Sequence, residues 1–414
     1  MQYYTNIIVS IIETLKLKHL LLMEDIVLYN IIIIIVACVI SIILEMMILP
    51  RIIYISKKKR LFDLPSERKK HTLPIPRLAG TSFTPTILLV AFFSIFVRLK
   101  FDFITEAEVL KQAAEVTLLV AGLLIIYFLG VKDDLVGVDF RKKFVVQFFA
   151  SFCIIGSGVY VNNLYGIFGI YEIPDWIGIF LSVGFIVFTT NAINLIDGTD
   201  GLASGISCVA LALYGMLLSI YGLWTYAGIS FITIGILIPF FYYNFFHSTR
   251  KVFMGDAGSL TLGYLLSFMA LRLAKYPPTI DVVSSGFLLL VISPLFIPLF
   301  DAAKVMFVRI SMGKGPFSPD RNHIHHKLID LGFSNRKTTF VLILSSVILV
   351  ILNWLLLSSS LNCNIIFLIN TLLAVLINSF IYRKIRVKGN RNIADEQSEF
   401  VDESVSEEQL EVVD

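Results

Sequence analysis

Eleven long apolar runs constrain this chain more than any other feature of its sequence. They cover residues 26–50, 80–98, 115–131, 144–161, 177–191, 204–221, 225–244, 259–274, 284–308, 338–358 and 364–382. A helix needs about 20 mostly apolar residues to cross ~30 Å of hydrocarbon, where it must satisfy its own backbone hydrogen bonds. Because 57% of the residues are hydrophobic and 16% charged, a soluble fold could not bury this much apolar surface. The sequence therefore predicts an all-α polytopic integral membrane protein with about 11 transmembrane helices.

The basic residues are distributed unevenly between the two sides of these runs. The loops after odd-numbered runs, together with the C-terminal tail, carry 26 of the 34 Lys and Arg residues. By the positive-inside rule, these loops and the C-terminus are cytoplasmic, and the N-terminus is outside. Basic residues beside a membrane face anionic lipid, so this pattern does not indicate nucleic-acid binding. We expect a multi-pass protein of the cell membrane.

The two ends of the chain differ from the part between them. Residues 1–25 mix apolar and charged positions without a signal-peptide pattern, which predicts a surface helix or a misassigned start with Met23 as the true first residue. Residues 26–382 form the predicted membrane domain. Residues 383–414 form a cytoplasmic tail whose acidic composition predicts disorder.

Paired carboxylates lie at the inner end of the third run. Asp133 and Asp134 are adjacent there, and two neighbouring carboxylates can exchange a proton, hold a cation or simply face water. Lys143 follows ten residues after Asp133 and could bind an anionic group or merely obey the positive-inside rule.

A second polar stretch follows the fifth run. Asn191, Asn194 and Asp197 are three residues apart, so a helical turn would place them on one face. Asp200 and Gly201 follow, where glycine permits a sharp turn and close approach to a ligand. A plain polar turn is the alternative.

Two further stretches precede or follow later runs. Phe253-Met-Gly-Asp256 comes directly before a run, so Asp256 could cap a helix or ligate a metal. Arg321, His323, His325 and His326 lie together in a later loop. This histidine spacing suits zinc poorly, and contact with a pyrophosphate is more natural.

The four stretches together, in this order, resemble the polyprenyl-phosphate hexosamine-1-phosphate transferase superfamily, over about residues 63–327. The resemblance implies transfer of N-acetylhexosamine 1-phosphate from a UDP-sugar to undecaprenyl phosphate at the cytoplasmic face. UMP would be released, and a cell-envelope polysaccharide would be started. It also implies Mg²⁺ as the cofactor, with Mn²⁺ as a possible substitute.

The resemblance also implies a role for individual residues. Asp133 and Asp134 would lie near the lipid phosphate, and Asn194 and Asp256 would hold magnesium. The remaining residues would contact the substrates: Lys70, His71, Lys143, Asn191, Asp197, Asp200, Phe253, Arg321, His323, His325 and His326. Lys70 and His71 belong to a first motif that continues to Gly80, where Ala79 replaces the first glycine of the usual pair.

The histidine stretch distinguishes branches of the superfamily. His323-Ile-His-His resembles the N-acetylglucosamine branch rather than the branch that forms lipid I. A transporter and an intramembrane aspartyl protease are alternatives from other classes. The sugar, the lipid length, a one-step or two-step route and a homodimer are left open.

Overall fold

The structure, a computed structural model, describes residues 2–63, 75–247, 249–275, 285–315, 322–359 and 361–411, with side chains described between residues 25 and 387. The α-helices in these ranges are α1 (Gln2–Lys59), α2 (Phe83–Lys100), α3 (Glu106–Val136), α4 (Phe140–Gly156), α5 (Asp175–Ile196), α6 (Leu202–Ile220), α7 (Trp224–Phe241), α8 (Gly255–Ala274), α9 (Phe287–Ile292), α10 (Phe296–Ser311), α11 (Ile324–Asp330), α12 (Asn335–Ser358) and α13 (Cys363–Glu411). A two-residue strand, β1 (Phe62–Asp63), pairs antiparallel with β2 (Ile75–Pro76).

The described helices confirm an all-α polytopic membrane protein. Ten segments within the described ranges are long and apolar enough to cross a membrane, with α9 and α10 forming one such segment. The predicted run 144–161 corresponds to α4, whose 17 residues lie at the short limit for a spanning helix. The count of eleven, the orientation and the division of the chain into three segments stay predictions.

Helix α8 is the centre of the bundle. Every residue from Ala257 to Ala274 is buried, although the helix has the length of a membrane span. Its neighbours approach closely because glycines lie at the crossings. A methyl group on Gly130 of α3 would lie 2.4 Å from the Ala257 Cα, and one on Gly263 would lie 2.6 Å from the Thr190 Cα of α5. Small residues therefore bring the polar ends of α3 and α5 against the start of α8.

The segment before α8 lies beside the first motif. The Phe253 N–H donates to the Pro76 carbonyl at 2.7 Å, and the Gly80 N–H donates to the Met254 carbonyl at 2.8 Å. Gly255 then has a φ of +73°, a left-handed conformation that glycine adopts readily. The first motif thus fixes the backbone that leads into α8.

The polar segments meet at one end of the bundle. The C-terminal ends of α3 and α5 lie beside the N-terminal ends of α4 and α8, as the side-chain contacts between them show. The start of α11 adjoins the turn after α5. This shared end carries the candidate site.

Candidate active site

Lys143 joins two carboxylates from different helices. Its Nζ forms an ion pair with Asp133 Oδ2 at the end of α3 and lies 3.0 Å from Asp256 Oδ2 at the start of α8. Lys143 is on the first turn of α4, which Asp139 caps by accepting the Arg141 N–H at 2.9 Å. One ammonium group therefore lies between two carboxylates that are far apart in the sequence.

The other oxygen of Asp256 is bound from α5. The Asn194 Nδ2 donates to Asp256 Oδ1 and also donates to the Ser259 Oγ at 2.8 Å. Because one amide hydrogen-bonds both side chains, the Asn194 side chain is fixed against the first turn of α8. Asn194 and Asp256 are thus neighbours, as a shared ligand would require.

The paired aspartates have different environments. Asp134 is buried, and its Oδ1 and Oδ2 accept the N–H groups of Asp256 and Ala257, each at 2.9 Å. It therefore caps the N-terminus of α8, where a carboxylate is favoured by the free N–H groups and the helix dipole. Asp256 itself does not make this cap, because its side chain points to Lys143 and Asn194. In Asp133, Oδ1 accepts the Val138 N–H at 2.6 Å, and Oδ2 meets Lys143.

Arg77 and Gly255 complete the cap. The Arg77 guanidinium donates to the Asp134 backbone carbonyl at 2.5 Å. A methyl group on Gly255 would lie 2.7 Å from both carboxylate oxygens of Asp134 and 2.2 Å from the Arg77 carbonyl oxygen. Glycine is therefore the residue that lets the carboxylate reach the helix.

The spacing of Asn191 suggests a place beside Asn194 and the aspartates, but its side chain contacts α4 instead. Its Nδ2 donates to the Gln147 Oε1 of α4 at 2.5 Å, rather than to any of the aspartates. Asn191 lies one turn before Asn194, so it ties α4 to α5 beneath the charged cluster.

Asp200, Lys251 and Phe253 form a second group beside the first. The Lys251 Nζ lies 2.5 Å from Asp200 Oδ2 and 5.5 Å from the centre of the Phe253 ring. The Asn244 side chain links the two backbone segments of this group. It accepts the Gly201 N–H at 2.5 Å and donates to the Val252 carbonyl at 2.8 Å.

The Asp197 carboxyl group interacts electrostatically with carboxylates of both groups. Burial raises the pKa of its carboxyl group well above the usual value, and the carboxylates of Asp256, Asp134 and Asp200 raise it further. The concentration of negative charge favours binding of a cation at this end of the bundle.

The rings of the three histidines lie against one another at the start of α11. The rings of His323 and His325 lie 5.6 Å apart and nearly parallel, and those of His325 and His326 lie 4.2 Å apart. A methyl group on Gly198 would lie 3.9 Å from the His325 Nε2. The histidines therefore adjoin the turn that carries Asp197 and Asp200.

His325 is buried, with 1% of its surface exposed. Burial lowers the pKa of this imidazole to about 3, and the neighbouring His326 contributes to the same shift. His325 is therefore neutral at physiological pH, and it can act there as a hydrogen-bonding group rather than as a cation.

Oxygen donors dominate the central cluster, and they are the ligands that Mg²⁺ prefers. Within the described side chains, no three His, Cys, Asp or Glu residues form a ready-made metal cage. Mg²⁺ commonly takes one or two carboxylates and completes its shell with water and substrate phosphates. The Lys143 ammonium between Asp133 and Asp256 marks a position where a positive charge is already stabilised. Asn194 and Asp256 therefore fit a magnesium site of this open kind.

Three of the predicted substrate contacts, Lys70, His71 and Arg321, lie outside the described residues. The other predicted residues lie at the shared end of the bundle. The structure adds residues that sequence reasoning missed there: Gln147, Asn244, Lys251, Ser259 and Asp301. An Asp inside an apolar run was a signal for Asp301, since such residues are costly in a membrane.

Comparison with known proteins places this geometry in context. The sequence profile of glycosyl transferase family 4 matches residues 116–274. A probable undecaprenyl-phosphate N-acetylglucosaminyl 1-phosphate transferase of Bacillus subtilis is 30% identical over 323 residues, which are 75% of this chain and 81% of that protein. The undecaprenyl-phosphate alpha-N-acetylglucosaminyl 1-phosphate transferase of Escherichia coli is 31% identical, covering 71% of this chain and 76% of that protein. A decaprenyl-phosphate N-acetylglucosaminephosphotransferase of Mycobacterium leprae is 32% identical, covering 68% and 73%.

Proposed function

This chain belongs to glycosyl transferase family 4. From this membership and the geometry of the site, we propose that it transfers N-acetylglucosamine 1-phosphate from UDP-N-acetylglucosamine to undecaprenyl phosphate and releases UMP. In the cell this reaction would start a cell-envelope polysaccharide. The names of the relatives support the donor sugar and the lipid acceptor.

One observation carries the proposal. Residues 133, 143, 194 and 256 come from four helices, and their side chains meet around a single ammonium group and a shared carboxylate. Separately placed acidic, amide and basic groups suit a reaction between two phosphate-bearing substrates, which needs positioning and charge compensation above all.

Asp133 is the candidate base of the pair. Both oxygens of Asp134 are bound by the α8 backbone, whereas Asp133 Oδ2 meets a side chain, that of Lys143. Asp133 accepts the last proton of the lipid phosphate. An oxygen of that phosphate then forms a bond to the β-phosphorus of the nucleotide sugar. The bond from the β-phosphorus to the bridging oxygen breaks, and UMP leaves with the electron pair.

The remaining residues position the nucleotide sugar. Asn194 and Asp256 would hold Mg²⁺, which would neutralise charge on the pyrophosphate and on the departing UMP. Lys143 and His323 face the pyrophosphate from the protein side. Asp200 and Phe253 accept the uracil, with Phe253 offering its ring for stacking.

The site lies at the cytoplasmic face in this proposal, because its loops carry most of the basic residues. Formation of lipid I, transport and intramembrane proteolysis are not favoured, since the relatives are named as N-acetylglucosaminyl 1-phosphate transferases. A two-step route through a phosphorylated aspartate requires an unengaged carboxylate, which Asp133 would supply more readily than Asp134.

The test is UMP release by the purified chain in detergent with undecaprenyl phosphate and Mg²⁺. UDP-N-acetylglucosamine is compared with UDP-N-acetylgalactosamine and UDP-glucose. We expect release with the first sugar, dependence on both the lipid and the divalent ion, and loss of release with EDTA.

Asp139→Asn is the matched control variant, because asparagine caps a helix as well as aspartate does and this side chain is exposed. It should release UMP at the wild-type rate. Absence of lipid-dependent UMP release with every sugar would contradict the proposal.

A further inference from the structure

Asp301 is a buried carboxylate that the reaction described above leaves without a role. It lies in α10, within an apolar segment, with 2% of its surface exposed. Its Oδ2 contacts the His323 Nδ1 at 2.8 Å, and its Oδ1 accepts the Ile324 N–H at 2.9 Å and the Lys304 ammonium at 2.6 Å. A buried carboxylate with these partners is held in one orientation.

The contact with His323 determines which ring nitrogen carries hydrogen. Lys304 and the Ile324 N–H keep Asp301 a carboxylate, which can only accept hydrogen bonds. The His323 Nδ1 must therefore be the donor, and Nε2 is the ring atom that remains for a ligand. A carboxylate that orients an imidazole in this way also stabilises the ring when it becomes positively charged.

The contact between Asp301 and the Ile324 N–H fixes the position of the adjacent His323 ring. His323 is the N-cap residue of α11 and makes no side-chain cap of its own. Asp301 supplies the missing acceptor at the first N–H of that helix. The stacked rings of His323 and His325 are consequently held on an anchored helix start.

We propose that Asp301 is a positioning residue for the transferase reaction: it accepts the Nδ1–H of His323 and balances the positive charge that the ring carries when the donor is bound, so that Nε2–H donates to the pyrophosphate. This inference rests on the proposed function, in which His323 faces that pyrophosphate. Asp301 acts through His323 and does not itself touch substrate.

Asp301→Asn changes the protonation of the His323 ring without changing the packing around it, because the Asp and Asn side chains have the same size. When the amide oxygen of asparagine accepts from Ile324 and Lys304, its NH₂ group points at the His323 Nδ1. The ring must then offer Nδ1 as an acceptor, so it is held neutral, and its Nε2–H meets the pyrophosphate without a positive charge. The equivalent exchange in a serine protease leaves the geometry intact and removes most of the activity.

The activity test is a double-mutant cycle on kcat/KM for UMP release. Asp301→Asn should lower kcat/KM by about 10–100-fold, as loss of a group that orients a functional histidine does. In the His323→Gln background the same substitution should change kcat/KM by less than about twofold, because the residue through which it acts is absent. The exposed cap exchange Asp139→Asn is the control for an Asp-to-Asn change at a helix start.

The second measurement does not depend on activity. Nitrogen NMR of ¹⁵N-histidine-labelled wild-type protein, with His323 assigned from the spectrum of His323→Gln, reads the protonation of each ring nitrogen. A protonated Nδ1 supports the proposal. An unprotonated Nδ1 overturns it, as does an equal loss of kcat/KM from Asp301→Asn in both backgrounds. A wild-type chain that releases no UMP would refute the proposed function instead, while the NMR result would still test the Asp301–His323 pair.

Discussion

The two adjacent aspartates at the end of α3 should respond differently to substitution. Asp134 gives both oxygens to backbone N–H groups of α8, at 2.9 Å each, whereas Asp133 accepts one backbone N–H and meets Lys143. We therefore predict that Asp134→Ala destabilises the protein, and that Asp133→Asn removes turnover with little change in stability.

The magnitude follows from the hydrogen bonds lost. Removing an N-cap side chain costs about 0.5–2 kcal/mol, and a further hydrogen bond to a charged group contributes about 1.5–3 kcal/mol. Together they amount to about 2–5 kcal/mol. An unfolding entropy of about 2.1 cal/mol/K per residue over 414 residues converts this to a Tm lower by roughly 2–6 °C.

Asp133→Asn keeps its acceptor for the Val138 N–H, since the asparagine side chain retains a carbonyl oxygen. Its Tm should fall by less than about 1 °C on the same scale. Its turnover should fall by about 10²–10⁴-fold, the range for loss of a general base.

The assay pairs thermal unfolding in detergent with UMP release for both variants, and Asp139→Asn serves as the control. A wild-type Tm in Asp134→Ala would refute the cap. Equal losses of Tm in the two variants would refute the division of roles between the aspartates.

Three further predictions test other parts of the site. Gly255→Ala should lower both Tm and turnover, because its Cβ would lie 2.7 Å from the Asp134 carboxylate oxygens and its φ is +73°; a wild-type Tm would contradict this. Asp256→Asn should abolish UMP release in a folded, membrane-inserted protein, and near-normal release would remove it as a magnesium ligand. The His325 pKa falls from 6.5 to about 3 on folding, so stability should be full above pH 6.5 and be lost as pH falls toward 3. His325→Gln should flatten that part of the Tm profile and weaken turnover; an unchanged profile would contradict the burial of a neutral ring.

The spans could be predicted from sequence because lipid imposes a simple requirement on length and polarity. The predicted runs 204–221 and 338–358 match α6 and α12 closely. α4 is harder to classify because it begins with charged residues and is only 17 residues long. The central burial of α8 had a signal in the sequence that the prediction of spans did not use: its mean hydropathy is 1.3, against 2.8 for the more exposed α12.

The site was harder to predict from sequence, because its side-chain contacts join residues that are far apart in the chain. The spacing of Asn191 and Asn194 correctly put both on α5, but the partner of Asn191, Gln147, depends on how α4 packs. The cap from Asp134 to α8 joins residues 122 positions apart, and local pattern carries no information about such contacts. The resemblance to a known superfamily supplied the grouping of residues that periodicity could not.

The central claim is that this cluster moves a sugar phosphate between a nucleotide and a polyprenyl lipid. The most direct measurement is the mass of the lipid product after purified protein is incubated with UDP-N-acetylglucosamine, undecaprenyl phosphate and Mg²⁺. We predict an undecaprenyl diphosphate carrying one N-acetylglucosamine from the wild-type chain and none from Asp256→Asn. Unmodified lipid in the wild-type reaction, or the same product from both proteins, would contradict it.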